Sequence, residues 1–95
     1  MAVYLIVDTN VHNPEAYEEY KAKAGALVEK HGGKYLVRGG AHTVLEGGWE
    51  PTRMVVLEFP SKEQFEAFYH GEEYQAVIGL RTANAHCTAV MVEGL

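Results

Sequence analysis

The chain has only three arginines, Arg38, Arg53 and Arg81, and two of them lie in a stretch that otherwise reads as strand. Between Leu36 and Phe59, the apolar residues are interrupted by Arg38, Glu46, Arg53, Glu58 and two glycine pairs. Arginine is suited to planar, two-pronged contact with carboxylates and to ion pairs that leave water. Two uses compete. Arg38 and Arg53 pair with Glu46 and Glu58, within a subunit or across a dimer, because a buried charge without a partner costs several kcal/mol. Alternatively, a guanidinium stays free for an anionic group on a ligand. The sequence assigns Glu46, Arg53 and Glu58 to a structural ion network. Arg38, beside a flexible glycine pair, stands between the two roles.

A second constellation is Tyr74 and Arg81. Seven residues apart, they share one helix face about two turns from each other, with Ile78 between them. Small-molecule sites are mostly apolar with a few polar groups of this kind. This predicts a pocket between helices and sheet lined by Tyr4, Phe68, Tyr74, Ile78 and Arg81, with Arg38 near its mouth. An acidic or phenolic organic compound suits that lining. The plainer reading makes Tyr74 a core residue and Arg81 a cation at a helix C-terminus, where the dipole favours it.

Other chemistry is excluded. The five histidines form no H-x-H or H-E-x-x-H spacing, so no metal site is expected. His86 and Cys87 are adjacent in a strand and diverge to opposite faces, which makes Cys87 a small core residue rather than a nucleophile. As the single cysteine, it permits no intrachain disulfide. There is no phosphate loop and no dinucleotide fingerprint, and no cofactor is expected.

The elements that must position these residues follow from pattern. Residues 2–8 read as a strand. Asn13-Pro14 starts a helix, Tyr17, Tyr20, Ala24, Leu27 and Val28 supply its buried stripe, and Gly32-Gly33 ends it. A second strand runs over 34–46 with a bulge or bend at Gly39-Gly40. A loop covers 47–52, and a third strand covers 53–59. Ser61 with Gln64 fits a capping box and opens a helix that Gly71 breaks or bends and that resumes over 72–81. Residues 86–93 form the last strand. The order β-α-β-β-α-β is the ferredoxin-like arrangement, with both helices on one face of an antiparallel sheet.

That fold leaves one sheet face uncovered. In a monomer the uncovered face should be polar, yet apolar residues lie on both faces: Val3, Leu5 and Val7 oppose Tyr4 and Ile6, Val55, Leu57 and Phe59 oppose Met54 and Val56, and Val90 and Val92 oppose Ala89 and Met91. A second copy of the same sheet is the simplest cover, so a homodimer is expected. Ninety-five residues make one domain, 1–95. A formal charge of −5 argues against nucleic acid and anionic membrane as partners. The first ten residues lack a basic start before their apolar run, which predicts a cytoplasmic location.

The segments "GGKYLVRGG", "VLEGGWEPTRMVVLEFPS" and "YQAVIGLR" resemble the signature of an uncharacterised bacterial domain-of-unknown-function family, family 1330, over nearly the whole chain. The residues that carry the resemblance are Arg38, Gly39, Gly40, Glu46, Gly47, Arg53, Glu58, Tyr74 and Arg81. The resemblance implies a ferredoxin-like fold assembled as a dimeric α+β barrel. That superfamily also contains small monooxygenases, lactone isomerases and haem-degrading enzymes. The chain departs from the family pattern near Phe68, where a tryptophan is usual, at Gly71-Glu72-Glu73-Tyr74, where the family often has a "SPEY"-like turn, and at residues 84–88. Two function classes stay open. One is a protein that binds a small organic molecule, with or without cofactor-independent catalysis. The other is a non-catalytic dimeric sensor, scaffold or partner-binding module whose Arg/Glu motif is structural.

Overall fold

A computed structural model describes all 95 residues. The elements are β1 (Val3–Val11), α1 (Pro14–Lys30), β2 (Lys34–Arg38), β3 (Met54–Phe59), α2 (Lys62–Tyr69), α3 (Glu72–Asn84) and β4 (Ala85–Glu93). The strands form one sheet in the order β2-β3-β1-β4, every neighbouring pair antiparallel. This is the α+β, ferredoxin-like arrangement expected from the element order.

The helix boundaries have local causes. Asn13 accepts a hydrogen bond from the Ala16 amide and Pro14 occupies the first turn of α1, which satisfies one otherwise unpaired donor and presets φ. Ser61 accepts from the Gln64 amide at 3.2 Å and caps α2 in the same way. Gly71 separates α2 from α3. A Cβ there would lie 2.4 Å from the Ala67 carbonyl oxygen, so only glycine permits this close joint.

The core lies between the sheet and the helices. Val3, Leu5 and Val7 of β1 and Val55, Leu57 and Phe59 of β3 point into it, meeting Ala24, Leu27 and Val28 of α1 and Phe65, Phe68 and Tyr74 of the later helices. Phe59 is fully buried and its ring sits 5.2 Å from that of Phe68 and 5.6 Å from that of Phe65. α1 also packs along α3.

The second strand is shorter than expected. Pairing stops at Arg38 instead of continuing to residue 46, and the chain leaves the sheet at Gly39, whose φ is +74°. A side chain is strained in that left-handed region. Residues 39–53 then form an extended excursion that returns at Met54. Asp8 anchors it: one carboxylate oxygen accepts from the Thr52 amide at 2.9 Å and the Arg53 amide at 3.4 Å, and the other from Trp49 Nε1 at 3.1 Å.

The face away from the helices is apolar and open in a single chain. Val37 pairs with Val56, Val56 with Ile6, and Ile6 with Val90. One row of β-branched residues thus crosses all four strands. Val37 and Val90 are 38% and 57% exposed.

Candidate functional site

The site lies at the end of the sheet where β1 and β2 finish and β3 and β4 begin. There the sheet and the helices do not close completely. A cavity of about 50 Å³ remains, space for roughly four water-sized positions on a scale where one water needs about 10–15 Å³. Its apolar wall includes Leu5, Val7, Val55, Leu57, Ala24, Val28 and Phe68. Its polar wall holds Thr9, Tyr17, Tyr20, Lys21, Tyr35, Tyr74 and all three arginines, Arg38, Arg53 and Arg81. No carboxylate, imidazole or thiol is among the lining groups.

Each cation is positioned by its own element. Arg81 stands in the last turn of α3, where the helix dipole favours positive charge. It is only 8% exposed, and its Nε is buried without a hydrogen-bond partner. Arg53 lies at the head of β3; its carbonyl accepts from the Thr9 amide at 2.9 Å. Its guanidinium lies over Gly39, where a Cβ would come within 2.8 Å of Nε. Arg38 ends β2, with its guanidinium 4.6 Å from the centre of the Tyr35 ring, a cation–π arrangement.

The tyrosines form the second half of the polar wall. Tyr20 of α1 and Tyr74 of α3 share a hydrogen bond of 2.7 Å between their hydroxyls. Each phenol has one proton, so whichever accepts in this bond retains an O–H to donate elsewhere. Burial, and then the neighbouring Tyr74 oxygen, push the Tyr20 phenol far above its ordinary value. Burial also raises Tyr74, although its bond to Tyr20 and the Arg81 charge offset part of the shift. Burial works against the Arg81 charge, but the Tyr74 and Tyr20 oxygens and the Cys87 sulfur outweigh it and the net shift is upward. The cavity therefore offers fixed cations and neutral O–H donors.

Of the residues expected to bind a ligand, Arg38, Phe68, Tyr74 and Arg81 line this cavity. Tyr4 does not: it lies on the other face of the sheet, opposite Glu58 of β3 and Val92 of β4, because odd-numbered positions of β1 point to the helices. Ile78 packs against the core cluster but is not part of the cavity wall. The expected pairing of Arg38 and Arg53 with Glu46 and Glu58 is not made within the chain. Glu58 instead pairs with Lys34 at 3.3 Å, its direct cross-strand neighbour. Glu46 is exposed in the 39–53 segment. The ion pairs present use lysines and His70, and none uses an arginine.

Sequence reasoning missed Arg53 as a cavity residue because glutamates flank it along the chain. Tyr17 and Tyr20 fitted a helical stripe and were expected only in the core. The usable signal was that all three arginines belong to one motif while the lysines are scattered. Nothing in the sequence links Asp8 to Trp49, which is 41 residues away.

The model of a domain of unknown function, DUF1330, matches residues 2–95. The chain belongs to this family. Three solved structures show how widely the DUF1330 fold is shared. A protein of unknown function from Rhodopseudomonas palustris, RPA0582, is 19% identical, with a TM-score of 0.81 over 99% of this chain and 82% of the other. SnoaB, a cofactor-independent oxygenase from Streptomyces nogalater, is 13% identical, with a TM-score of 0.67 over 99% and 93%. A dimeric ferredoxin-like protein of unknown function from Jannaschia sp. CCS1 is 16% identical, with a TM-score of 0.65 over 99% and 100%. At these identities the likeness is one of fold. No curated protein matches this sequence significantly. No helix is long and apolar enough to cross a membrane.

Proposed function

We propose that this DUF1330 protein binds a small anionic organic molecule in the cavity between α1, α3 and the sheet. One observation carries the reading: three arginines converge on a cavity that has no carboxylate in its wall, and none of them is ion-paired within the chain. Like charges gathered without a counter-charge repel one another, and a buried guanidinium nitrogen without an acceptor costs on the order of 1–3 kcal/mol or more. An acidic ligand supplies the missing acceptor. Apolar walls with few oriented polar groups suit an organic acid or a phenolate.

The cavity has the parts to stabilise an anion but no conventional general base. A reaction there would start from a substrate that arrives ionised or carries its own acidic proton. The arginines and the free phenol O–H would hold the charge. The protein acts on the anion as a binding module first, and catalysis without a cofactor is an extension of the same geometry.

The functional unit in this reading is a homodimer. The row Val37, Val56, Ile6 and Val90 covers the face that a second copy would bury, and two-fold pairing of identical apolar faces is the commonest way to cover such a sheet.

A thermal-shift screen of small carboxylates and phenols on wild type and Arg81→Met tests the binding. The expected result is a rise in melting temperature for wild type with at least one class, and a much smaller rise for the variant. The competing arrangement is neutralisation of the arginines by Glu46 of a second copy. In that case wild type responds to no compound and Glu46→Gln lowers the melting temperature.

A further inference from the structure

We infer that the cavity is built for a short dianion, with one acidic group held at Arg81 and the Tyr20–Tyr74 pair and the other between Arg53 and Arg38. The inference rests on the anion-binding reading above and adds the charge and span of the ligand.

The first argument is charge. Three arginines line the cavity and no acidic residue does; the fourth cationic lining residue, Lys21, is already paired with Glu18 at 2.9 Å. A monoanion would leave two of the three without a counter-charge, whereas a dianion leaves one, and Arg38 already rests on the Tyr35 ring. The second argument is arrangement. The cations are not bunched at one point. Arg81 comes from α3, whereas Arg38 ends β2 and Arg53 immediately precedes β3. Arg53 and Arg38 thus stand on neighbouring strand ends, Arg38 opposite Val55, and Arg81 on the helix side of the same cavity, which gives two cationic poles, one from the sheet and one from α3. The third argument is unused donors. At the Arg81 pole the buried Nε has no acceptor, and the Tyr20–Tyr74 pair retains one O–H after its mutual bond. At the other pole the Arg53 guanidinium lies against Gly39 and makes no ion pair within the chain.

The volume sets the size. Four water-sized positions accommodate a molecule of about six to eight non-hydrogen atoms. Oxalate, malonate and succinate span that range. A single compact dianion such as phosphate would reach one pole only.

Calorimetric titration of the intact protein at low salt tests this with four probes: acetate, malonate, succinate and inorganic phosphate. The expected result is at least ten-fold tighter binding of malonate or succinate than of acetate. Arg81→Met and Arg53→Met should each remove that advantage while Lys62→Met leaves it intact. Melting curves and circular dichroism of each variant establish that it is folded. Equal affinity for acetate and the dicarboxylates, both lost in Arg81→Met, would overturn the dianion and leave the anion-binding reading standing. Phosphate binding more tightly than either dicarboxylate would overturn the two-pole span. Binding of none of the four by the folded wild type would remove both the inference and the reading beneath it.

Discussion

Gly39 is the bed on which Arg53 lies: a Cβ at residue 39 would sit 2.8 Å from Arg53 Nε and 3.2 Å from Cζ. The same glycine has φ +74°. Its two roles, turning the chain out of β2 and leaving room for a guanidinium, meet at one atom position. Gly39→Ala should therefore lose roughly 1–2 kcal/mol of stability from backbone strain and also displace Arg53 from the cavity. Gly40→Ala is the control, since its nearest neighbour would be Val37 Cγ1 at 3.9 Å. Chemical denaturation of both variants should show a loss for the first and little change for the second.

Arg53→Met and Arg81→Met should each raise the stability of the ligand-free protein by about 1 kcal/mol or more, because each relieves repulsion among three unpaired cations and Met retains the apolar stem. This is the opposite of what an Arg53–Glu ion pair would give, where losing the arginine strands an acid. Melting curves without added anion distinguish the two signs.

The Tyr20–Tyr74 bond links α1 to α3. Tyr20→Phe and Tyr74→Phe should each cost about 0.5–1.5 kcal/mol, and the double variant should cost less than their sum, because neither hydroxyl then remains without its partner. A double-mutant cycle by urea denaturation measures the coupling.

Burial raises the phenols of Tyr17, Tyr20, Tyr35 and Tyr74 above their ordinary value of 10.0. The folded state then holds protons that the unfolded state releases. The associated stability is complete below pH 10 and is lost as pH rises through the folded values. Absorbance at the phenolate band should show these four titrating late, and denaturation midpoints should fall above pH 10 but not between pH 7 and 9.

Asp8 is shifted the other way. The Trp49 indole, and then the Thr52 amide, hold its carboxyl below the ordinary 3.8. Its contribution is present above that value and lost as pH falls through the folded value. Trp49 is the only tryptophan, so its fluorescence reports the anchor directly. Acidification below about pH 4, or Asp8→Ala at neutral pH, should change its emission while the far-ultraviolet signal of the core persists.

The fold was legible because its signals are local and redundant. Asn13-Pro14, Gly32-Gly33 and Ser61 each mark a boundary by a capping mechanism, and the alternation in β1 and β3 fixes which residues face the helices. The strand expected to run to residue 46 failed because Val44 and Leu45 look strand-forming, whereas Gly39 had already turned the chain away. The cavity was legible in part. Tyr74 and Arg81 share a helix face by spacing alone. Arg53 was read through its chain neighbours Glu46 and Glu58, but pairing is decided by register, and register gives Glu58 to Lys34. Tyr4 was misplaced because it depends on parity within β1, where Val3, Leu5 and Val7 are the inward set.

The central claim is that an acidic group occupies the space beside Arg81. Crystals soaked with 3-bromopropionate test it most directly, since the bromine locates the molecule by anomalous scattering independently of any activity. The account predicts a bromine peak inside the cavity, with the carboxylate within hydrogen-bonding distance of Arg81 Nε and absent from crystals of Arg81→Met. Wild-type crystals with an empty cavity and bromine only at surface lysines, or with Glu46 of a second copy against the arginines, would contradict it.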